Sequence, residues 1–577
     1  MRLGYASGRR GLRRLGAARR ARDSAGPAAA AQRRVGGSGE PGVNSRAYDA
    51  VVIGAGHNGL VAAAYLARAG LRVVVVERGE AAGGCAATEE LWPGYRVDTG
   101  AHSLTGIDHG VMADLGLDAS GPRGAGLDIM SPASCVVSPQ PDGGALILES
   151  DPTRAADRIR PFSARDAARW PEFVRAMSRA GRALGVLYRT LPPRLAGANR
   201  GDLWELLRLA AKMNRLGRRD ALELMRLIPM TIEELLYEWF ESEALKGALA
   251  ADGVRGICQG PLASGTGYMF LHHMVGAGGV VRRRRQVRGG MGALGAALQR
   301  VAVAAGAEVR LGHEVASIRV EDGRATGIAL AGGGEIAAAR VVSSADPGRT
   351  FLGLVDPGEL APEFVRALDH IKYRGVIAKV HLALGKPPRL RSGCDAAHAA
   401  MLAGAAITVA PSIHYIERAY DDAKYGQPSK QPALDAVLTT ALDPSLAPEG
   451  RHLLSVAAQY APFRLADGSW NDERRDALGD AVVATLAEYA PDIEGAILHR
   501  HVLTPADLAD RFALPEGNIH HGEMTLDQVF FGRPVAGWAR YRTPIDGLYL
   551  CGAGTHPGGG LNARPGALAA TRILRDG

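Results

Sequence analysis

Residues Tyr48 to Glu77 read YDAVVIGAGHNGLVAAAYLARAGLRVVVVE, and this stretch decides the fold. Ala50 to Ile53 is a short apolar run rich in β-branched residues, the signature of a strand buried on both faces. Gly54, Gly56 and Gly59 follow in G-x-G-x-x-G spacing. Leu60 to Ala69 has helical composition, and Gly70 suits the end of that helix. Val73 to Val76 is a second buried strand, closed by Glu77. In such a βαβ unit the first glycine allows a tight turn and the second lets a pyrophosphate approach the backbone. The third lets helix and strand pack closely. The helix N-terminus offers free N–H groups and a positive dipole end to phosphates. Glu77 lies 77 − 54 = 23 residues after the first glycine, near the roughly 20 expected of an acid that holds ribose hydroxyls. An acid there disfavours a 2′-phosphate, so FAD or NAD fits better than NADP.

The next residues read RGEAAGGCAATEELWPGYRVDTGAH. Arg78 with Gly83 and Gly84 predicts a tight basic turn beside the ribose-binding acid, placed to cover cofactor phosphates. At the other end of the chain, Leu548–Cys551 reads as a strand, GAGTHPGGG (Gly552–Gly560) as a glycine-rich turn, and Ala563 to Leu574 as a helix. This repeats the strand–turn–helix logic of the N-terminus and sets a second helix start beside the cofactor. A dinucleotide held from both ends of the chain implies a discontinuous domain.

Between these anchors the pattern changes. Trp170 to Leu187 and Leu203 to Phe240 carry apolar residues at helical spacing, and Thr231 with Glu234 predicts a capping box. A helical insertion of this kind either roofs a substrate cavity or stands as a plain subdomain. Val315–Val320, Ala325–Leu330 and Glu335–Val342 predict an antiparallel meander, with turns at Asp322–Gly323 and Gly332–Gly334. Val376–Ala383, Ala405–Val409, Leu434–Ala441 and Leu453–Gln459 read as further strands, and Asp472 to Tyr489 as a helix. Gly290, Gly292 and Gly295 form a second G-x-G-x-x-G. The preceding RRRRQVR is no buried strand, and no acid closes a following strand at the required distance, so this is not a second dinucleotide site. The Arg282–Arg285 run with Arg288 reads as a solvated loop, with contact to a phosphate or an anionic lipid surface as the alternative.

The net charge of +8 comes from the first 46 residues, which hold eleven Arg, no Lys and two acids, or +9. The remainder carries 8 − 9 = −1, so the basic balance gives no ground for a nucleic-acid partner. That Arg-, Ala- and Gly-rich segment reads as disordered, either a mitochondrial transit peptide or an irrelevant leader. The chain lacks an apolar run long enough for a transmembrane helix, and the compartment expected is the cytoplasm, or the mitochondrial matrix if the segment targets it. The five cysteines form no C-x-x-C pair and no metal spacing, which argues against a dithiol reductase.

GAGHNGL, the loop with two glycines and TEE, GGMGAL, the ADP turn at 345–347 and LYLCGAGTHPGGG together resemble phytoene-desaturase-like FAD-dependent oxidoreductases. WFESEALKGALAADGV with GTGYMFLHH (Trp239–His273), and the stretch Thr504–Pro534, are similar to the branch labelled pyridine nucleotide-disulfide oxidoreductase domain-containing. The resemblance implies an α/β, glutathione-reductase-like fold: a discontinuous FAD-binding Rossmann domain and a mixed α+β substrate domain. The expected division is a leader 1–46, cofactor segments 47–150, 286–350 and 536–577, and substrate segments 151–285 and 351–535. It implies FAD held by Gly54, Gly56, Gly59, Glu77, Arg78, Gly84, Val315, Gly552 and Gly554. The activity implied is hydride transfer between a lipophilic, isoprenoid-like substrate and the flavin. Two departures stand out: Arg284 where relatives carry an aromatic, and Ala563–Pro565 after the last glycine turn. An amine-oxidase-type flavoenzyme and a flavin-bearing interaction protein are the other readings. Peripheral membrane contact remains open, and so does the oligomeric state. The candidates for proton handling are His556, in the glycine turn, and His520 or His521.

Overall fold

The structure is a computed structural model that describes residues 48–576, apart from 105, 118–124, 193–199, 278 and 392–394. The Arg-rich leader and Cys394 lie outside the described residues.

The fingerprint strand Ala50–Ile53 sits at the centre of a five-stranded parallel sheet. Its order is Leu548–Leu550, Val341–Ser343, Ala50–Ile53, Val73–Val76, Glu308–Arg310. Strands without polar alternation belong in a sheet covered on both faces, and both covers are present. Val52 and Val75 pack with residues of the helices His57–Arg68, Gly292–Ala304 and Arg564–Asp576. Val51, Ile53, Val74 and Val76 pack into a second core with Ile318, Ile328 and Phe351.

That second core is built on a three-stranded antiparallel meander, Val315–Glu321, Arg324–Leu330 and Glu335–Ala337. Its first turn is Asp322–Gly323, with φ of 49° and 73°, the doubly positive backbone that two-residue hairpins favour. The expected strand Glu335–Val342 is two strands. Glu335–Ala337 ends the meander, and Val341–Ser343 enters the parallel sheet beside Ala50–Ile53. The apolar run is continuous in sequence because both halves are buried, in different sheets.

A second sheet has seven strands, in the order Ile497–Leu503, Ile377–Leu384, His452–Gln459, Ala433–Leu438, Ala406–Val409, Ser134–Pro139, Ala145–Glu149. Its pairs are antiparallel except Ala406–Val409 with Ser134–Pro139. The hairpin Ser134–Glu149, inside the segment 47–150, therefore extends this sheet and not the parallel one. Helices packed against the sheet include Ala164–Tyr188, Ile232–Trp239, Glu243–Val254 and Thr266–Ala277. The long helical stretch 203–240 is three helices, broken at Gly217 (φ 101°) and again before Thr231. Thr231 and Glu234 form the expected capping box. Among the described residues no helix is long and apolar enough to cross a membrane.

Candidate active site

At the C-terminal edge of the parallel sheet the chain opens into a cleft of about 1550 Å³. The fingerprint glycines divide their work there. A side chain on Gly59 would meet the Gly54 carbonyl oxygen at less than 3.0 Å, so the helix can lie on the strand only without one. Gly56 has nothing within 4 Å of where its Cβ would be and faces the cleft. The backbone is thus bare where a pyrophosphate has to approach. Gly84 completes the cradle, its own Cβ position 3.2 Å from the Gly56 Cα.

Glu77 is half-buried on the cleft wall. Its Oε2 accepts from Ala55 N at 2.8 Å and its Oε1 from Gly79 N at 2.9 Å. A carboxylate has about four acceptor positions, so the two backbone bonds fix its orientation and leave capacity for two ribose hydroxyls. Arg78 lines the cleft while its Nη2 donates to the carbonyls of Asp510 (3.0 Å) and Arg511 (3.3 Å). Val315, Ser344, Ala345 and Asp346 line the same cleft. The second G-x-G-x-x-G is a packing device: a Cβ on Gly295 would lie 2.6 Å from the Gly83 Cα, so the helix Gly292–Ala304 buttresses the Gly83–Gly84 turn.

The C-terminal glycine turn works differently from the expectation. Gly552 and Gly554 do not line the cleft. Their missing side chains let the turn pack on the Ser344 carbonyl and on Pro347 Cδ. Ala553, between them, reaches the cleft, and its carbonyl accepts from Arg533 Nη2 at 2.8 Å.

A smaller cavity of about 230 Å³ adjoins the cleft, and His57, Cys85, Phe512, His521 and Ala553 line both. His521 stands at this junction with a backbone φ of 57°. Its Nδ1 is buried without a hydrogen-bond partner. Burial, then Arg533 and Arg349, hold its pKa down to about 4, so the ring is neutral at pH 7. His57 beside it is likewise held at about 4, by burial and by His521. His520 lines the inner cavity only. His556 lines neither. Its Nε2 lies 3.2 Å from the Leu187 carbonyl at the end of the helix Ala164–Tyr188, and the ring contacts Tyr188 edge-on. The position expected for His556 is corrected accordingly: the glycine turn points it toward the helix Ala164–Tyr188, outside both the cleft and the inner cavity.

The Arg run also departs from expectation. Burial alternates along it, with Arg282 and Arg284 buried (4% and 1% exposed) and Arg283 and Arg285 further out. Arg284 Nη2 lies 2.9 Å from Asp435 Oδ1, and Arg282 Nε 3.5 Å from Asp252 Oδ1. A solvated loop fails here because two acids on distant elements draw alternate arginines inward. Lys379 and Asp435, which belong to no motif, line the inner cavity from the two strands that flank His452–Gln459, each paired with its Ala457. Their signal is a charged residue inside a buried strand that is otherwise apolar save for His381: IAKVHLAL and ALDAVL.

With this geometry, comparison with known proteins is informative. Residues 59–572 match the flavin containing amine oxidoreductases, and the chain belongs to that family. It is 36% identical over 558 residues to pyridine nucleotide-disulfide oxidoreductase domain-containing protein 2 of Rattus norvegicus, covering 93% of this chain and 95% of the relative. It is 30% identical to a limonene dehydrogenase subunit of Castellaniella defragrans, over 92% and 94% of the two chains. A solved oxidoreductase from Methanosarcina mazei shares the fold, with a TM-score of 0.56 at 18% identity, over 91% of this chain and 99% of that one. The protein is an FAD-dependent oxidoreductase with an α/β FAD-binding fold. The bare Gly56 backbone, the oriented Glu77 carboxylate and the volume of the cleft fit FAD. Although the rat relative's name mentions disulfides, the four described cysteines, Cys85, Cys135, Cys258 and Cys551, are free thiols.

Proposed function

We propose that the chain moves a hydride to or from a C–H bond of a lipophilic, isoprenoid-like substrate held in the inner cavity. The observation that carries this reading is the cavity itself. It shares five residues with the FAD cleft, and Val275, Ile377, Leu508, Leu514, Ile519 and Leu561 line much of the rest. The similarity to a protein of limonene dehydrogenation supports a hydrocarbon-type substrate. The FAD itself is assigned to Gly54, Gly56, Gly59, Glu77, Arg78, Gly84 and Val315, with the Gly552–Gly554 turn acting through Ala553. The parallel sheet and meander form a discontinuous, glutathione-reductase-like cofactor domain in this reading, and the seven-stranded sheet with its helices forms the substrate domain.

Bound in the cleft, FAD supplies the hydride acceptor or donor. The chain supplies the rest. Phe512 and its apolar neighbours exclude water from the junction. Desaturation also releases a proton from the carbon next to the one that loses hydride, and His521, neutral at pH 7 and lining both the cavity and the cleft, is the residue placed to accept it. Trp204, Leu207, Leu222 and Met225 stand exposed on the helices Arg200–Leu216 and Arg218–Leu227, which supports peripheral contact with a membrane that delivers such a substrate. The free thiols suit a reducing compartment such as the cytoplasm.

The amine-oxidase reading has the family match in its favour. Against it stand Arg255, Arg282, Lys379 and Arg564 on the wall of the inner cavity, which outnumber its two carboxylates, Asp108 and Asp435, and disfavour a protonated amine. Anaerobic addition of a lipid extract to the FAD-loaded protein separates the two. Loss of the oxidised flavin spectrum with lipid and none with an amine panel is expected. His521→Phe should slow that loss by about 100-fold. Bleaching by amines alone overturns the proposal, and a flavin indifferent to both points to an interaction protein.

A further inference from the structure

Four basic side chains, Arg255, Arg282, Arg284 and Lys379, surround two buried aspartates, Asp252 and Asp435. Asp435 is fully engaged: it receives Arg255 Nη1 at 2.7 Å, Arg284 Nη2 at 2.9 Å and Arg284 Nε at 3.3 Å. Asp252 is shared among Arg255 at 3.3 Å, Arg282 at 3.5 Å and Arg284 at 3.6 Å. The nearby Asp98 accepts from Thr88 Oγ1 and Met291 N, both through Oδ1.

Two cations are less firmly paired. Arg282 is 4% exposed, and its Nε reaches Asp252 Oδ1 only at 3.5 Å, without a hydrogen bond. Lys379 is 5% exposed and meets His102 Nδ1, while no described carboxylate comes within ion-pair distance of it. Both line the inner cavity beside Arg255, and none of the three lines the FAD cleft. A buried ammonium without an ion-pair partner is costly, and a planar guanidinium held by a single long ion pair keeps donors for an oxyanion.

We propose that the inner cavity holds an anionic oxygen group, carboxylate or phosphate, of an otherwise apolar substrate, bound by Arg282, Lys379 and Arg255. This rests on the reading of the cavity as the substrate site. The substrate class is then amphipathic: a charged head on the cations, and a chain that runs past His520 and His521 to the junction with the FAD cleft.

The test is binding, read as perturbation of the flavin spectrum of the FAD-loaded enzyme and as heat by calorimetry. The probes are decanoate, decyl phosphate, decanol and decylamine. Decanoate or decyl phosphate should bind at least about tenfold more tightly than decanol or decylamine, and the order of the two anions distinguishes a carboxylate from a phosphate head. Arg282→Gln and Lys379→Met should each weaken the preferred anion by about tenfold and leave decanol unchanged. Arg282→Lys and Lys379→Arg, which keep the charge, should retain most of the preference. Equal binding of all four probes overturns the proposal, and so does an anion preference that survives both neutral variants. An anion preference in a protein whose flavin no lipid reduces leaves the head-group site standing and removes only the redox reading. Bleaching by lipid without an anion preference does the reverse.

Discussion

Gly59→Ala should purify with less than about a tenth of the FAD of the parent protein. The added methyl would sit under 3.0 Å from the Gly54 carbonyl oxygen and 3.3 Å from both the Gly54 carbonyl carbon and Ser344 Oγ. The obstacle is backbone, so no rotamer relieves it. Nor can Gly54 retreat. Its φ is 92°, and its own Cβ position is closed by Ser344 Oγ. The helix must therefore move off the strand, and its free N–H groups move with it. Overpacking of this kind costs about 3 kcal/mol at its upper end, which is ~100-fold in affinity if all of it falls on the bound state. Gly70→Ala is the control. Its φ of 90° strains an alanine, as the helical backbone at Gly59 does not, but nothing lies within 4 Å of the new Cβ. It should lose about 1 kcal/mol of stability and keep its flavin. If Gly59→Ala retains full FAD, the assignment of the fingerprint as the cofactor cradle is wrong.

Asp435→Asn should be the most destabilising single change in the substrate layer, at about 3–5 kcal/mol. The carboxylate is 5% exposed and neutralises Arg284, itself 1% exposed, together with Arg255. An amide keeps the shape and removes the charge, so the buried Arg284 and the partly buried Arg255 are left with Asp252 alone. Burial by itself pushes the Asp435 carboxyl up. Arg255, Arg284 and His102 outweigh it and hold the group well below 3.8. A group whose folded value is depressed adds stability above its unfolded value and loses it as pH falls through the folded one. The gap in urea midpoint between parent and variant should therefore be constant from about pH 5 upward and narrow below about pH 4. A gap that widens in acid, or one under about 1 kcal/mol at neutral pH, contradicts a buried, charged Asp435.

The βαβ unit was legible because its signals are local. Gly54, Gly56, Gly59 and Glu77 lie within one strand–helix–strand segment, and their spacing anticipates its turn and packing. The meander and its Asp322–Gly323 turn were legible for the same reason. The substrate half was not, because its chemistry is assembled across the chain. Arg284 and Asp435 are 151 residues apart, and a run of four arginines reads as solvent-facing until acids from a helix and a strand are brought to it. His556 failed for a related reason. It belongs to the right turn, but which way a turn residue points depends on what packs against it, here the end of the helix Ala164–Tyr188. His521, one residue beyond His520, faces the junction because its backbone adopts a positive φ, and no periodicity announces that. Gly552 and Gly554 were recognisable as required, though what they serve is close packing on Ser344 and Pro347.

The most direct measurement is the identity and amount of flavin released by heat from the purified full-length chain. One FAD per chain is the expected result, with no FMN or nicotinamide dinucleotide in its place, and Gly59→Ala should release far less. A well-folded chain that carries no flavin and takes up none when incubated with FAD would contradict the cofactor site between Gly54 and Glu77.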